Sequence, residues 1–239
     1  MNINFKGKVV LITGSTKGIG NKLFTKFKSL GAYVIGTSKT IQLKKKNYEI
    51  IKADFTSSIS TKNFIKVLSK FKKIDVLINN AGINKISHIN NINDQDVNNI
   101  INVNLIAPIL ITKEVSRIMV RKNKGKIINI SSIFGKVSKK KRSVYASTKH
   151  AINGLTKTLA LDLASSNILV NSVSPGVIET QLTKKVLGRS GINKMKKEIP
   201  LKKLGKTEDV ANLILFLTSE YNSYITGQNY IIDGGYVVK

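Results

Sequence analysis

Cysteine and tryptophan are absent from the 239 residues, and His88 and His150 are the only histidines. Without cysteine there is no disulfide scaffold, no thiol nucleophile and no thiolate metal site. Two histidines leave no multi-histidine metal centre. Acid is scarce: 13 Asp+Glu stand against 40 Lys+Arg, for a formal net charge of +27. No apolar run reaches the roughly 20 residues of a membrane span. Met1–Lys8 lacks the apolar stretch of a signal peptide. The reading is a cytoplasmic protein with no membrane contact.

A charge of +27 first suggests nucleic acid, because a polyanion attracts a basic surface. Only Arg117, Arg121, Arg142 and Arg189 are arginine, however, and base readout favours the planar arginine fork over the lysine point charge. The Lys, Ile and Asn excess matches the coding bias of an AT-rich genome. No nucleic-acid module is visible, so no specific nucleic-acid partner is expected. A hydrophobic fraction of 41% supports a proper core, and the length suits a single domain.

Short β-branched runs alternate with helical patterns along the chain. Strands are predicted at Val9–Thr13, Tyr33–Gly36, Tyr48–Ala53, Val76–Ile78, Lys126–Ile130, Leu169–Val173 and Tyr230–Ile232. Helices are predicted at Asn21–Leu30, Ser60–Phe71 with Phe64, Val67, Leu68 and Phe71 inward, Asp94–Arg121 in one or two pieces, Tyr145–Ser165 and Thr207–Leu217. Lys39–Lys46 reads as a basic loop, and Thr180–Leu204 as a polar, weakly periodic lid. Such alternation predicts an α/β fold: a doubly wound Rossmann-type parallel sheet of about seven strands with helices on both faces.

Gly14-Ser15-Thr16-Lys17-Gly18-Ile19-Gly20 lies between the first strand and the first helix. Glycine there permits tight turns and close approach to a pyrophosphate, which the helix N-terminus attracts. Alone, such a loop is often only a turn; its place after the first strand raises it above that. Tyr145 and Lys149 are four residues apart, on one face of a helix. A nearby ammonium favours phenolate and lowers the tyrosine pKa from about 10. Taken singly, Tyr-x-x-x-Lys is a common surface pattern.

The T-G-x-x-x-G-x-G spacing of the loop resembles that of the short-chain dehydrogenase/reductase family. The resemblance extends from about Lys6 to Tyr236, through Asn79-Asn80-Ala81-Gly82, Asn102-Val103-Asn104, Ser131-Ser132, Tyr145-x-x-x-Lys149 and Pro175-Gly176. It implies catalytic roles for Asn104, Ser132, Tyr145 and Lys149. Ser132, thirteen residues before Tyr145, is preferred over Ser131, which reads as a strand-end capping residue. Asn104 is preferred over Asn102. It also implies a cofactor site built from Gly14, Ser15, Lys17, Gly18, Ile19, Gly20, Asp54, Phe55, Asn80, Ala81, Gly82, Pro175, Gly176, Val177, Ile178 and Thr180, together with Tyr145 and Lys149.

An NAD site normally carries an acid at the end of the second strand, to hold the ribose 2′-hydroxyl. Thr37-Ser38-Lys39 stands there instead, and the first acid in the chain is Glu49. The missing acid favours NADP(H) over NAD(H), with Lys17, Thr37, Ser38 and Lys39 available to a 2′-phosphate; surface lysine is the plain alternative for Lys17 and Lys39. The implied activity is NADPH-dependent ketone reduction.

Pro200 to Val210 resembles the 3-oxoacyl-acyl-carrier-protein reductase branch, whose acidic carrier would meet Arg121, Lys122, Lys124 or the Lys139–Arg142 run. A keto-sugar or nucleotide-linked sugar reductase in surface-glycan synthesis is the runner-up, given the basic lid at about 180–204. A catalytically silent dinucleotide-binding regulator on the same fold is the alternative of another class. The family's usual homotetramer is expected. His150 reads as structural or exposed, and His88 as a residue that borders the substrate pocket.

Overall fold

The computed structural model describes residues 3–238; Met1 and Asn2 of the Met1–Lys8 leader reading lie outside them. The eight strands are β1 (Val9–Ile12), β2 (Tyr33–Ser38), β3 (Leu43–Lys45), β4 (Tyr48–Lys52), β5 (Val76–Asn79), β6 (Gly125–Ile130), β7 (Ile168–Pro175) and β8 (Asn229–Ile232). They form one sheet in the order β3-β4-β2-β1-β5-β6-β7-β8. Every pairing is parallel except β3 with β4. The order reverses at β1, and this switch point is where such sheets open a crevice at their strand C-termini.

Two cores follow from the period-2 alternation of strand side chains. Val10, Ile12, Val34 and Ile78 face α1 (Gly18–Ser29) and α7 (Thr207–Thr218). Leu11, Ile35, Leu77 and Ile127 face α2 (Ser58–Leu68) and α4 (Ala107–Val120). α3 (Asp94–Ile101) joins α4 through a π-helical turn over Asn102–Ile106, a local form often met at functional sites. α5 (Ser143–Asp162) follows β6, and Asn167 (φ 52°) turns the chain into β7.

Three details differ from the sequence reading. Lys39–Lys46 is no plain loop: Leu43–Lys45 adds an exposed antiparallel edge strand, and lysine on an edge discourages pairing with other chains. The connection from β2 to β4 therefore holds no helix. The lid is helical, α6 (Gln181–Glu198), broken by Gly188 at φ 60°, ψ −178°. Val67 is exposed, whereas Phe64 and Leu68 are buried as expected.

Candidate active site

The crevice is built first by backbone. Gly14 has φ +65°, and a Cβ there would stand 3.0 Å from Ala81 Cα. A Cβ on Gly20 would fall 2.2 Å from the Gly14 carbonyl oxygen, so only glycine lets α1 start this close to the loop. Thr13 ties the loop to the turn after β5: its Oγ1 accepts from the Asn80 and Ala81 amides, both at 3.0 Å. Asn80 Nδ2 donates back to the Thr13 and Gly14 carbonyls at 2.8 and 3.0 Å. Thr13 was not among the sequence-derived site residues, although it opens the same motif.

α1 has no side-chain cap; Lys17 occupies its N-cap position and no acid lies in the first turn. Free amide donors and the positive helix end suit an anion. Together with the close glycine approaches, this chemistry fits a dinucleotide pyrophosphate. Gly18 (φ +53°) borders Thr180, whose Cγ2 would lie 3.5 Å from a Cβ placed there. Thr180 caps α6 through the Thr183 amide at 3.1 Å, so α6 begins against the glycine loop. Ile19 packs against the core.

At the C-terminal end of β2, the sequence-derived residues divide by task. Thr37 is buried, and its Oγ1 accepts from the Gly14 amide at 2.9 Å, so its hydroxyl holds the loop. Ser15 donates to the Thr37 carbonyl at 3.3 Å. Ser38 Oγ accepts from the Thr40 and Ile41 amides at 3.3 and 3.2 Å. Lys39 forms a 2.9 Å ion pair with Asp54. Burial works to raise the Asp54 pKa, but hydrogen bonds from Lys39 and Thr56 outweigh it and hold the carboxyl below its usual range. Phe55 sends its side chain into the core, edge-on to Phe64 at 5.6 Å, which leaves the polar contact to Asp54.

The polar cluster opposite lies where β6, the π-turn and α5 converge. The Tyr145 hydroxyl stands beside Ser132, which is buried and pulls the phenol pKa down. Ser132 Oγ also accepts from the Phe134 amide at 3.2 Å. Ser131 instead donates to the Lys149 carbonyl at 3.1 Å, a tether for α5 that agrees with its structural reading. Lys149 is buried and donates to the Ile130 carbonyl at 2.8 Å; its Nζ lies 5.6 Å from the Tyr145 ring centre. Asn104 exchanges both hydrogen bonds with Ile83, at 2.8 and 2.9 Å, and donates to Thr148 at 3.3 Å. A Cβ on Gly82 would meet Asn104 Oδ1 at 3.6 Å and Lys149 Nζ at 3.7 Å, so both polar groups border the same glycine.

The electrostatics depart from the expectation that Lys149 lowers the tyrosine pKa. Burial pushes Lys149 down to about 8. Burial also raises Tyr145, against the Ser132 hydrogen bond and the Arg142 charge, which pull it down. Arg142 is the cation whose charge pulls the phenol pKa down, while the Lys149 ammonium donates to the Ile130 carbonyl. Arg142 was grouped with the basic run before Tyr145, and the abundance of neighbouring lysine hid it.

Beyond β7, Pro175 is buried and Gly176 passes so close to β8 that a Cβ would lie 2.8 Å from Asp233 Cα. Val177 and Ile178 are pinned by Gly205: its amide donates to the Val177 carbonyl at 3.1 Å, and its carbonyl accepts from Glu179 at 2.7 Å. His150 is exposed, and its Nδ1 lies 3.0 Å from the Ala146 carbonyl, as its structural reading requires. His88 is exposed in the loop after Gly82.

Comparisons with known proteins agree along the whole chain. The family profile described as enoyl-(acyl carrier protein) reductase matches residues 14–237. A 3-oxoacyl-acyl-carrier-protein reductase of Aquifex aeolicus is 38% identical over 247 residues, covering 98% of this chain and 99% of its own. A solved 4-hydroxyisoleucine dehydrogenase complexed with NADH superposes with TM-score 0.91 at 31% identity, covering 98% of this chain and 100% of its own. ElxO with NADP bound superposes with TM-score 0.89 at 35% identity, covering 97% and 99%.

Proposed function

The chain belongs to the short-chain dehydrogenase/reductase family, and from that membership we propose an NADPH-dependent carbonyl reductase of the 3-oxoacyl-acyl-carrier-protein type. The observation that carries the reading is the convergence of Tyr145, buried Ser132, Asn104 and buried Lys149, with Asn104 and Lys149 both bordering Gly82 beside the turn that is bonded to the glycine loop. When bound, the nicotinamide cofactor supplies hydride to the substrate carbonyl. Ser132 holds the carbonyl oxygen, and Tyr145 gives it a proton as general acid. Lys149 orients the cofactor ribose and supports Tyr145. Asn104 holds Gly82 and Ile83 in place and continues the proton path from Lys149 through water.

The cofactor residues are those of the loop (Gly14, Ser15, Lys17, Gly18, Ile19, Gly20), the adenosine end (Thr37, Ser38, Lys39, Asp54, Phe55), the turn Asn80-Ala81-Gly82, and Pro175, Gly176, Val177, Ile178 and Thr180. The absence of acid at Thr37-Ser38-Lys39 supports NADPH over NADH. One dinucleotide-binding domain carries a lid at about 180–204, and the exposed Arg121, Lys122 and Lys124 are placed to meet an acidic carrier. Exposed Ile106 at the end of the π-turn, Ile109 on α4 and Leu161 on α5 supply apolar surface for a homotetramer. No helix among the described residues is long and apolar enough to cross a membrane. The cytoplasm is part of the proposal, because the reductant is a cytoplasmic coenzyme.

A substrate screen that follows NADPH absorbance tests this reading. Acetoacetyl thioesters should be reduced and keto-sugars should not, and NADH in parallel should be the poorer donor. Turnover of keto-sugars alone would move the assignment to the runner-up.

A further inference from the structure

Arg142 differs from the rest of the basic run. Lys139, Lys140 and Lys141 are exposed, whereas Arg142 is only half exposed and its Nη1 is buried without a hydrogen-bond partner among the described residues. None of the ion pairs among the described residues includes it. It stands three residues before Tyr145, at the N-cap of α5. Tyr145 is also the one group whose charge acts on it. A desolvated guanidinium atom with no acceptor is costly to keep. A neutral acyl chain laid across it would retain that cost. A carboxylate would remove it, because the guanidinium fork matches a carboxylate with two parallel hydrogen bonds.

We infer that Arg142 anchors an anionic group of the substrate, so that the enzyme takes oxo acids, ketones with a carboxylate one or two carbons from the carbonyl, as a further substrate class. The inference rests on the reductase reading, with Tyr145 as the acid. In the balanced step the ketone carbon gains a hydride from the reduced cofactor. The C=O π pair collects on oxygen, and that oxygen takes the Tyr145 proton. The products are a hydroxy acid and the oxidised cofactor. Arg142 touches the carboxylate and takes no part in proton transfer.

The test compares acetoacetate and pyruvate with neutral ethyl acetoacetate, in wild type and Arg142→Gln, with NADPH. Wild type should reduce at least one oxo acid. Arg142→Gln should lower kcat/KM for that acid at least 50-fold more than for the ester, with the excess loss in KM; a smaller loss common to both substrates would reflect the Arg142 charge on Tyr145. Idle oxo acids beside an active ester would overturn the inference and leave the reductase reading intact. Equal losses on acid and ester would assign Arg142 a structural role and also overturn it. If wild type reduces no ketone, the reductase reading fails, and malonate decides on Arg142 alone. A rise in Tm of the wild-type NADP+ complex with malonate, absent in Arg142→Gln, supports the anchor, and no rise in wild type refutes it.

Discussion

Lys149→Met should stabilise the protein in the absence of cofactor while removing its activity. Lys149 is buried, and its pKa falls to about 8 from an unfolded value of 10.5. The unfolded chain therefore binds more protons between these values, and the lysine costs stability at every pH below them. At about 1.4 kcal/mol per unit, the cost at pH 7 is about 3 kcal/mol, and it falls to roughly 1.4 kcal/mol at pH 9.5. Methionine keeps most of the side-chain volume and avoids the charge. It leaves the Ile130 carbonyl without the 2.8 Å donor, which returns about 1 kcal/mol of the gain. The net stabilisation at pH 7 is about 2 kcal/mol, or some 4–8 °C in Tm for a domain of this size. Urea unfolding of wild type and variant at pH 7 and 9.5 measures it, and the difference should shrink at the higher pH. A variant less stable than wild type at pH 7, or a difference that does not change with pH, would refute this account of Lys149.

Thr13→Val removes the acceptor for the Asn80 and Ala81 amides and should cost about 2–4 kcal/mol in urea unfolding. Gly20→Ala forces a Cβ to within 2.2 Å of the Gly14 oxygen, so NADPH affinity followed by nucleotide fluorescence should drop more than tenfold. Ser38→Asp places a carboxylate where the second strand ends. The ratio of Kd for NADPH to Kd for NADH should rise at least tenfold, and an unchanged ratio would remove the basis of the cofactor preference.

The fold was legible because seven strands announce themselves as short, largely β-branched runs, most of them buried. β3 did not, since Leu43, Lys44 and Lys45 are all exposed and bury no face that could leave a period. The lid helix escaped for a similar reason: among α6 residues only Met195 is buried, and Gly188 breaks the helix. Family spacing singled out Tyr145, Lys149, Ser132 and Asn104, and the fold sets Ser132 beside Tyr145 and both Asn104 and Lys149 beside Gly82. The electrostatics were not legible. Spacing placed Lys149 on the face of Tyr145 but could not show that its ammonium turns to the Ile130 carbonyl. Arg142 was one basic residue among many until burial separated it from its neighbours.

The central claim is that Tyr145 delivers the proton to a reduced carbonyl. Steady-state oxidation of NADPH with acetoacetyl-CoA, in wild type and Tyr145→Phe, tests it most directly. The account predicts turnover by wild type and a loss of 10² to 10⁴-fold in kcat for Tyr145→Phe, with NADPH binding retained. A Tyr145→Phe enzyme as active as wild type would contradict it.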